Sequence, residues 1–182
     1  MTTPGIRIEG LDTLQKLFPT LQRQINSELK KGISASAIMV QNEAKDSMRK
    51  AKHGRTYRRG AAKGGRKRKN GTKTAVTAYK FHRASEPGEA PAVDSGRLIG
   101  SINHNITNDG LTALIGILDL TNVKYARAME FGRPALVDKK GRHMPPIQPR
   151  PWLFPALEKQ RDNIEKRIQL GIQKALSVNG GA

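Results

Sequence analysis

An α+β fold, with a long N-terminal helix, an antiparallel β-sheet and a C-terminal helix, is predicted by three observations. Apolar residues recur at steps of three and four from Leu11 to Met48. Short β-prone runs cluster around turn signals between residues 98 and 144, and a second helical stripe runs from about Trp152 to Ser177. Helix, strands and helix in that order point to an antiparallel sheet rather than to alternating βαβ units.

The first stripe comprises Leu11, Leu14, Phe18, Leu21, Ile25, Leu29, Ile33, Ala37, Val40, Ala44 and Met48. Pro19 interrupts it. Proline disfavours helix at the residue before it and suits the first turn of a new one. The expectation is a short helix over about Leu11–Leu17 and a long one over about Pro19–Met48, spanning roughly 45 Å at 1.5 Å per residue. Gly32 within it marks a bend or a close helix contact.

From Arg49 to about Thr77 the periodicity vanishes, and glycines alternate with Lys and Arg. With so little to bury, a basic, flexible insert is expected at about 49–77, with a short strand near Val76–Phe81. A proline-punctuated loop follows at Glu86–Pro91. Strands are expected at Leu98–Thr107 and Leu111–Leu118, joined by the Asn108-Asp109-Gly110 turn. Lys124–Phe131 suggests a short helix, and a second hairpin is expected around Asp138–Gly141. Pro145, Pro146, Pro149 and Pro151 impose an extended approach to the last helix, which aligns Leu153, Leu157, Ile164, Ile168 and Ile172. Trp152, Phe154 and Leu157 are expected to anchor that helix to the sheet. The 182 residues fit a single domain, 1–182. With aromatics at 4%, its core must be built mainly from Leu, Ile, Ala and Val.

Charge is unevenly placed. The segment Ser47–Ser85 carries 14 Lys and Arg and no Asp or Glu. Of the 33 basic residues in the chain, 19 then remain against all 15 acidic ones, so the body is only slightly basic while the total is +18. Such asymmetry speaks of partners rather than fold. Arg55, Arg58, Arg59, Lys63, Arg66, Lys67, Arg68 and Lys69 are candidate contacts to DNA or another polyanion, with Tyr57 and Tyr79 available to stack on bases. The competing reading is a solvated loop that keeps the protein soluble.

Catalytic patterns fail in turn. Gly65–Thr74 departs from phosphate-loop spacing and no buried strand precedes it. His53, His82, His104 and His143 lack metal-ligand spacing, there is no Cys, and Asp94-Ser95-Gly96 lacks the setting of a hydrolase nucleophile. No catalytic, cofactor or metal residue is assigned, and an enzyme is not expected. The N-terminus has no apolar leader and no run approaches about 18 apolar residues, so no membrane association is expected.

Three separated segments carry a further signal. They are Ala90-Pro-Ala-Val-Asp-Ser-Gly-Arg-Leu98 running into Ser101-Ile102, then Tyr125-Ala-Arg-Ala-Met-Glu-Phe-Gly132, then Arg150-Pro-Trp-Leu-Phe-Pro-Ala-Leu157. In their order and spacing they resemble the gene-product-ten-like tail-component family of long-tailed phages of the HK type. Gly96, Leu98, Tyr125, Glu130, Phe131, Gly132, Arg150, Pro151, Trp152 and Pro155 fall on its pattern. Ser95 stands where that family usually has Thr, and Trp152 where Phe is common.

From the residues alone, these positions look structural. Gly96 and Gly132 permit turns, Pro151 and Pro155 open a helix, and Glu130 could pair with Arg127 or Arg133 in an exposed ion pair of little energetic worth. The resemblance implies a virion protein of the head–tail neck, assembled in the host cytoplasm. It would form a homo-oligomeric ring, six copies by family expectation, between head-closure proteins and tail-terminator or tail-tube proteins, leaving a DNA channel. The rival reading is a stand-alone basic nucleic-acid-binding protein of ribosomal or nucleoid-associated type.

Overall fold

A computed structural model describes residues 11–62, 65–67, 73–75, 78–121, 123–139 and 141–177. The mixed α+β architecture is as expected: a long N-terminal helix, small antiparallel sheets and a C-terminal helix. The described backbone divides into two compact units. One draws on Met1–Met39, His104–Ile115 and Lys159–Ala182, the other on Val40–Asn103 and Gly116–Glu158.

Helix α1 is continuous over Leu11–Lys50, with Pro19 inside it, and this corrects the expected break. A proline forfeits one intrahelical hydrogen bond and crowds one carbonyl. Here the apolar spacing stays in phase across it, from Phe18 through Leu21 to Ile25, so one helix serves both sides of the proline. Burial increases along α1. Phe18 is exposed, whereas Ala37, Val40, Ala44 and Met48 are all buried. A Cβ on Gly32 would lie 4.0 Å from Ile168 Cγ1, an ordinary van der Waals distance.

The basic segment is not without structure where it is described. Strand β1 (Thr56–Ala62) pairs antiparallel with β4 (Ala78–Arg83), and β2 (Gly65–Lys67) pairs with β3 (Lys73–Ala75). The register slips between Arg59 and Ala61, a bulge centred on Gly60. A two-stranded ladder pairs its own backbone groups, which is how a segment poor in apolar residues still forms strands. Tyr57 and His82 face one another edge-on, centroids 5.3 Å apart. At the base Gly54 donates to the Ala84 carbonyl at 2.9 Å, and a Cβ on Gly54 would meet the Ser85 oxygen at 2.6 Å.

The strand expected to start at Leu98 instead begins with one helical turn, α2 (Arg97–Gly100), entered from Gly96 at φ 79°. β5 (Ile102–Ile106) and β6 (Ala113–Ile117) then form the expected hairpin. Its turn is closed by Asp109, which accepts the Thr107 hydroxyl and the Leu111 N–H. Those two donors, the hydroxyl first, hold its carboxyl below the ordinary value of 3.8.

Helix α3 (Ala126–Phe131), the hairpin of β7 (Leu136–Val137) with β8 (His143–Met144), and helix α4 (Leu153–Ser177) complete the order. The largest fully buried side chains are Met48, Ile102, Val40 and Val123, all in the second unit. No helix among the described residues is long and apolar enough to cross a membrane.

Candidate assembly site

Helix α4 opens on Arg150-Pro-Trp-Leu-Phe-Pro, a stretch with no Ser, Thr, Asp or Asn to cap it. Its first N–H groups are satisfied from α3. The Glu130 carboxylate accepts the N–H groups of Trp152 at 2.8 Å, Leu153 at 3.3 Å and Phe154 at 3.1 Å. Pro155 comes next and has no N–H to satisfy. The usual orphan donors of a helix start are thus accounted for, with a negative charge at the positive end of the helix.

Glu130 is buried, so the exposed pairing with Arg127 or Arg133 is corrected. The reason is competitive. Three clustered N–H donors in a dry site hold a carboxylate better than one solvated guanidinium does. Glu130→Ala is expected to destabilise the fold by about 3 kcal/mol and Glu130→Gln by roughly half that, since the amide keeps one acceptor. Urea unfolding of the three proteins checks this, and equal midpoints would exclude the cap.

The same joint explains the neighbouring motif residues. Arg150 N–H donates to the Met129 carbonyl at 2.6 Å, tying the second segment to the third. Gly132 adopts φ 76°, and a Cβ there would come within 3.0 Å of the Ile147 oxygen and 3.1 Å of Pro149 Cδ. Tyr125 and Met129 of the second segment, Arg150 of the third, and Asp94, Ser95, Gly96 and Leu98 of the first line one cavity of about 300 Å³. All three segments therefore meet at one place within one unit.

His82 also reaches this cavity, its Nδ1 3.5 Å from Asp94 Oδ1. That convergence of His, Asp and Ser was not visible in the sequence spacing. Ser95 Oγ accepts the Arg97 N–H at 3.5 Å, and among the described residues no hydrogen bond links it to His82.

On the outside of the joint is an apolar groove of about 390 Å³, lined by Ile117, Leu120, Phe131, Leu153, Phe154 and Leu157 among others. Phe131 is 75% exposed and Phe154 63%, and Leu120 and Leu157 are also exposed. The expected triad of anchors is therefore corrected. Trp152 is 4% exposed and packs inside, whereas Phe154 and Leu157 face outward. At 3.6 residues per turn, Phe154 lies about 200° and Leu157 about 140° round the helix from Trp152, so neither shares its buried face, whereas Ala156 at about 40° does.

The candidate polyanion contacts are placed only in part. Arg55 and Arg58 are exposed at the start of the β1–β4 ribbon. For Arg59, Arg66 and Lys67 the backbone lies in β1 and β2, and Lys63, Arg68 and Lys69 lie outside the described residues. Comparison of the chain with family models, curated proteins and solved structures returns no match.

Proposed function

We propose that this protein is a structural subunit of a phage head–tail neck, acting by assembly into a ring rather than by catalysis. The observation that carries the reading is the meeting of the three resemblance segments at one joint, with Glu130 capping the helix that the third segment opens. Residues scattered along the sequence thus serve one local structure.

The exposed aromatic groove beside that joint supports the assembly part of the proposal. Large apolar patches on a soluble subunit are covered in its working state. Ring subunits make heterologous contacts that close by rotation, six copies in the expected case. Neighbouring rings would be head-closure proteins on one side and tail-terminator or tail-tube proteins on the other. The basic ribbon then faces DNA in the channel.

Two measurements test the proposal. Phage lacking this protein are expected to accumulate filled heads beside separate or defective tails in micrographs; normal infectious particles would overturn the assignment. The double variant Phe131→Ser/Phe154→Ser is expected to shift the purified protein to monomer in sedimentation, with stability changed by less than about 0.5 kcal/mol because both rings are exposed.

The rival nucleic-acid-binding reading is favoured by the exposed Arg58 on strand β1 and the exposed Arg55 just before it. It predicts DNA binding by a protein that stays monomeric at all concentrations.

A further inference from the structure

In the unit that contains the N-terminal part of α1 and the C-terminal part of α4, small residues let the two helices come close. A Cβ on Gly171 would lie 3.5 Å from the Glu28 carbonyl oxygen and 3.6 Å from the Glu28 Cβ. Beside this crossing is a groove of about 590 Å³. Its floor is aliphatic, formed by Gly32, Ala35, Met39 and Leu170, and Leu170 is 64% exposed. Its rim is cationic: Lys31 on α1, and Lys166, Arg167 and Lys174 on α4.

Among the described residues, Glu28 is the single carboxylate lining this groove. Lys31 Nζ donates to it at 2.7 Å and Lys174 Nζ stands 3.9 Å away. The Lys31 hydrogen bond, outweighing partial desolvation and aided by the Lys174 charge, holds its carboxyl below 4.5. Four cations against one carboxylate leave the trough positive, with an aliphatic floor open to water.

We infer that this groove docks an acidic amphipathic helix of a partner protein. A third helix settles between two others at interaxial distances of about 8–10 Å, and the glycines and alanine on the floor allow that approach. Apolar side chains at helical spacing would cover Met39 and Leu170 while flanking carboxylates reach the rim. Nucleic acid matches the rim but not the floor. Phosphates gain nothing from aliphatic surface, and among the described residues the groove has no aromatic ring on which a base could stack. The inference is independent of the neck reading.

The probe is a fluorescein-labelled model helix with leucines at i, i+3, i+4 and i+7 and glutamates on its other faces. A second peptide has lysine in place of each glutamate. Binding to the full chain is read by anisotropy, with duplex DNA and sedimentation velocity as further arms. The Leu/Glu peptide is expected to bind at least about 10-fold tighter than the Leu/Lys peptide, because like-charge contacts are strongly disfavoured. Lys166→Glu/Arg167→Glu should weaken the Leu/Glu peptide by a further factor of about 10 or more with an unchanged melting temperature. Lys166→Gln/Arg167→Gln serves if charge reversal disturbs the fold, and should give a smaller loss in the same direction.

Equal binding of both peptides, or binding indifferent to both variants, would overturn the inference. So would DNA binding that depends on Lys166 and Arg167 while the Leu/Glu peptide does not bind. Self-association lost in the variants, again without peptide binding, would assign the groove to a second copy and equally overturn it.

Discussion

Between about 50 and 200 mM salt, the affinity of the intact protein for duplex DNA is expected to fall by roughly 10³–10⁵, with no sequence preference. The expectation rests on the 14 basic residues of Ser47–Ser85 and the absence of any carboxylate among them. If about 6–10 of them reach phosphates, release of condensed counterions sets that steepness. The structure changes where the segment is best cut. Removal of Arg58–Thr74, the cut that composition alone suggests, would take away most of β1. Replacement of residues 63–77 by a two-residue Asn-Gly turn begins after β1 and ends before β4, and joins the paired Ala62 and Ala78 through the shortest loop a hairpin allows. It spares the β1–β4 ladder, the Tyr57–His82 contact and the Gly54–Ala84 hydrogen bond.

That replacement removes Lys63, Arg66, Lys67, Arg68, Lys69 and Lys73. The slope of log affinity against log salt should become shallower by about 5, close to 0.9 per lost phosphate contact. The melting temperature should stay nearly constant. An unchanged slope would show that the removed charges are merely solvated. A collapse in melting temperature would show that residues 63–77 are structural.

What the sequence makes legible is what local physics decides. The α1 stripe ending at Met48 survives because a period of 3.6 is read within a few turns. The β5–β6 hairpin survives because Asp109 and Gly110 close it with their own neighbours. The misses have other causes. The outward placing of Phe154 and Leu157 depends on what packs alongside, which spacing does not record, whereas the continuation of α1 through Pro19 is written in the unbroken phase from Phe18 to Ile25 and is hidden by the weight given to the proline. The turn at Arg97–Gly100 follows from Gly96 at positive φ, a state that glycine permits without announcing. The role of Glu130 left one readable trace. A helix that opens without a local capping residue must draw its acceptor from elsewhere, and an acidic residue in the preceding short helix was available.

Trp152→Ala is expected to cost about 3–5 kcal/mol, the range for removing a large buried aromatic. Trp152 is 4% exposed and sits where two supports meet: its N–H binds Glu130 at 2.8 Å, and Ala156, one turn on, is buried in turn. Truncation would leave a cavity beside the cap, so packing and capping would weaken together and their losses would not be additive. Trp152→Phe should cost less, since it keeps most of the volume, and because the indole Nε1 is buried without a hydrogen-bond partner among the described residues no such bond is lost. Trp152 is the only tryptophan in the chain, so intrinsic fluorescence of the wild type reports this site alone, while circular dichroism follows the variants. A loss below about 1 kcal/mol for Trp152→Ala in urea unfolding would place the indole at the surface. The same series against Phe154→Ala separates the two sides of the helix start: the inward ring should govern stability, and the outward ring should govern association while leaving the unfolding midpoint in place.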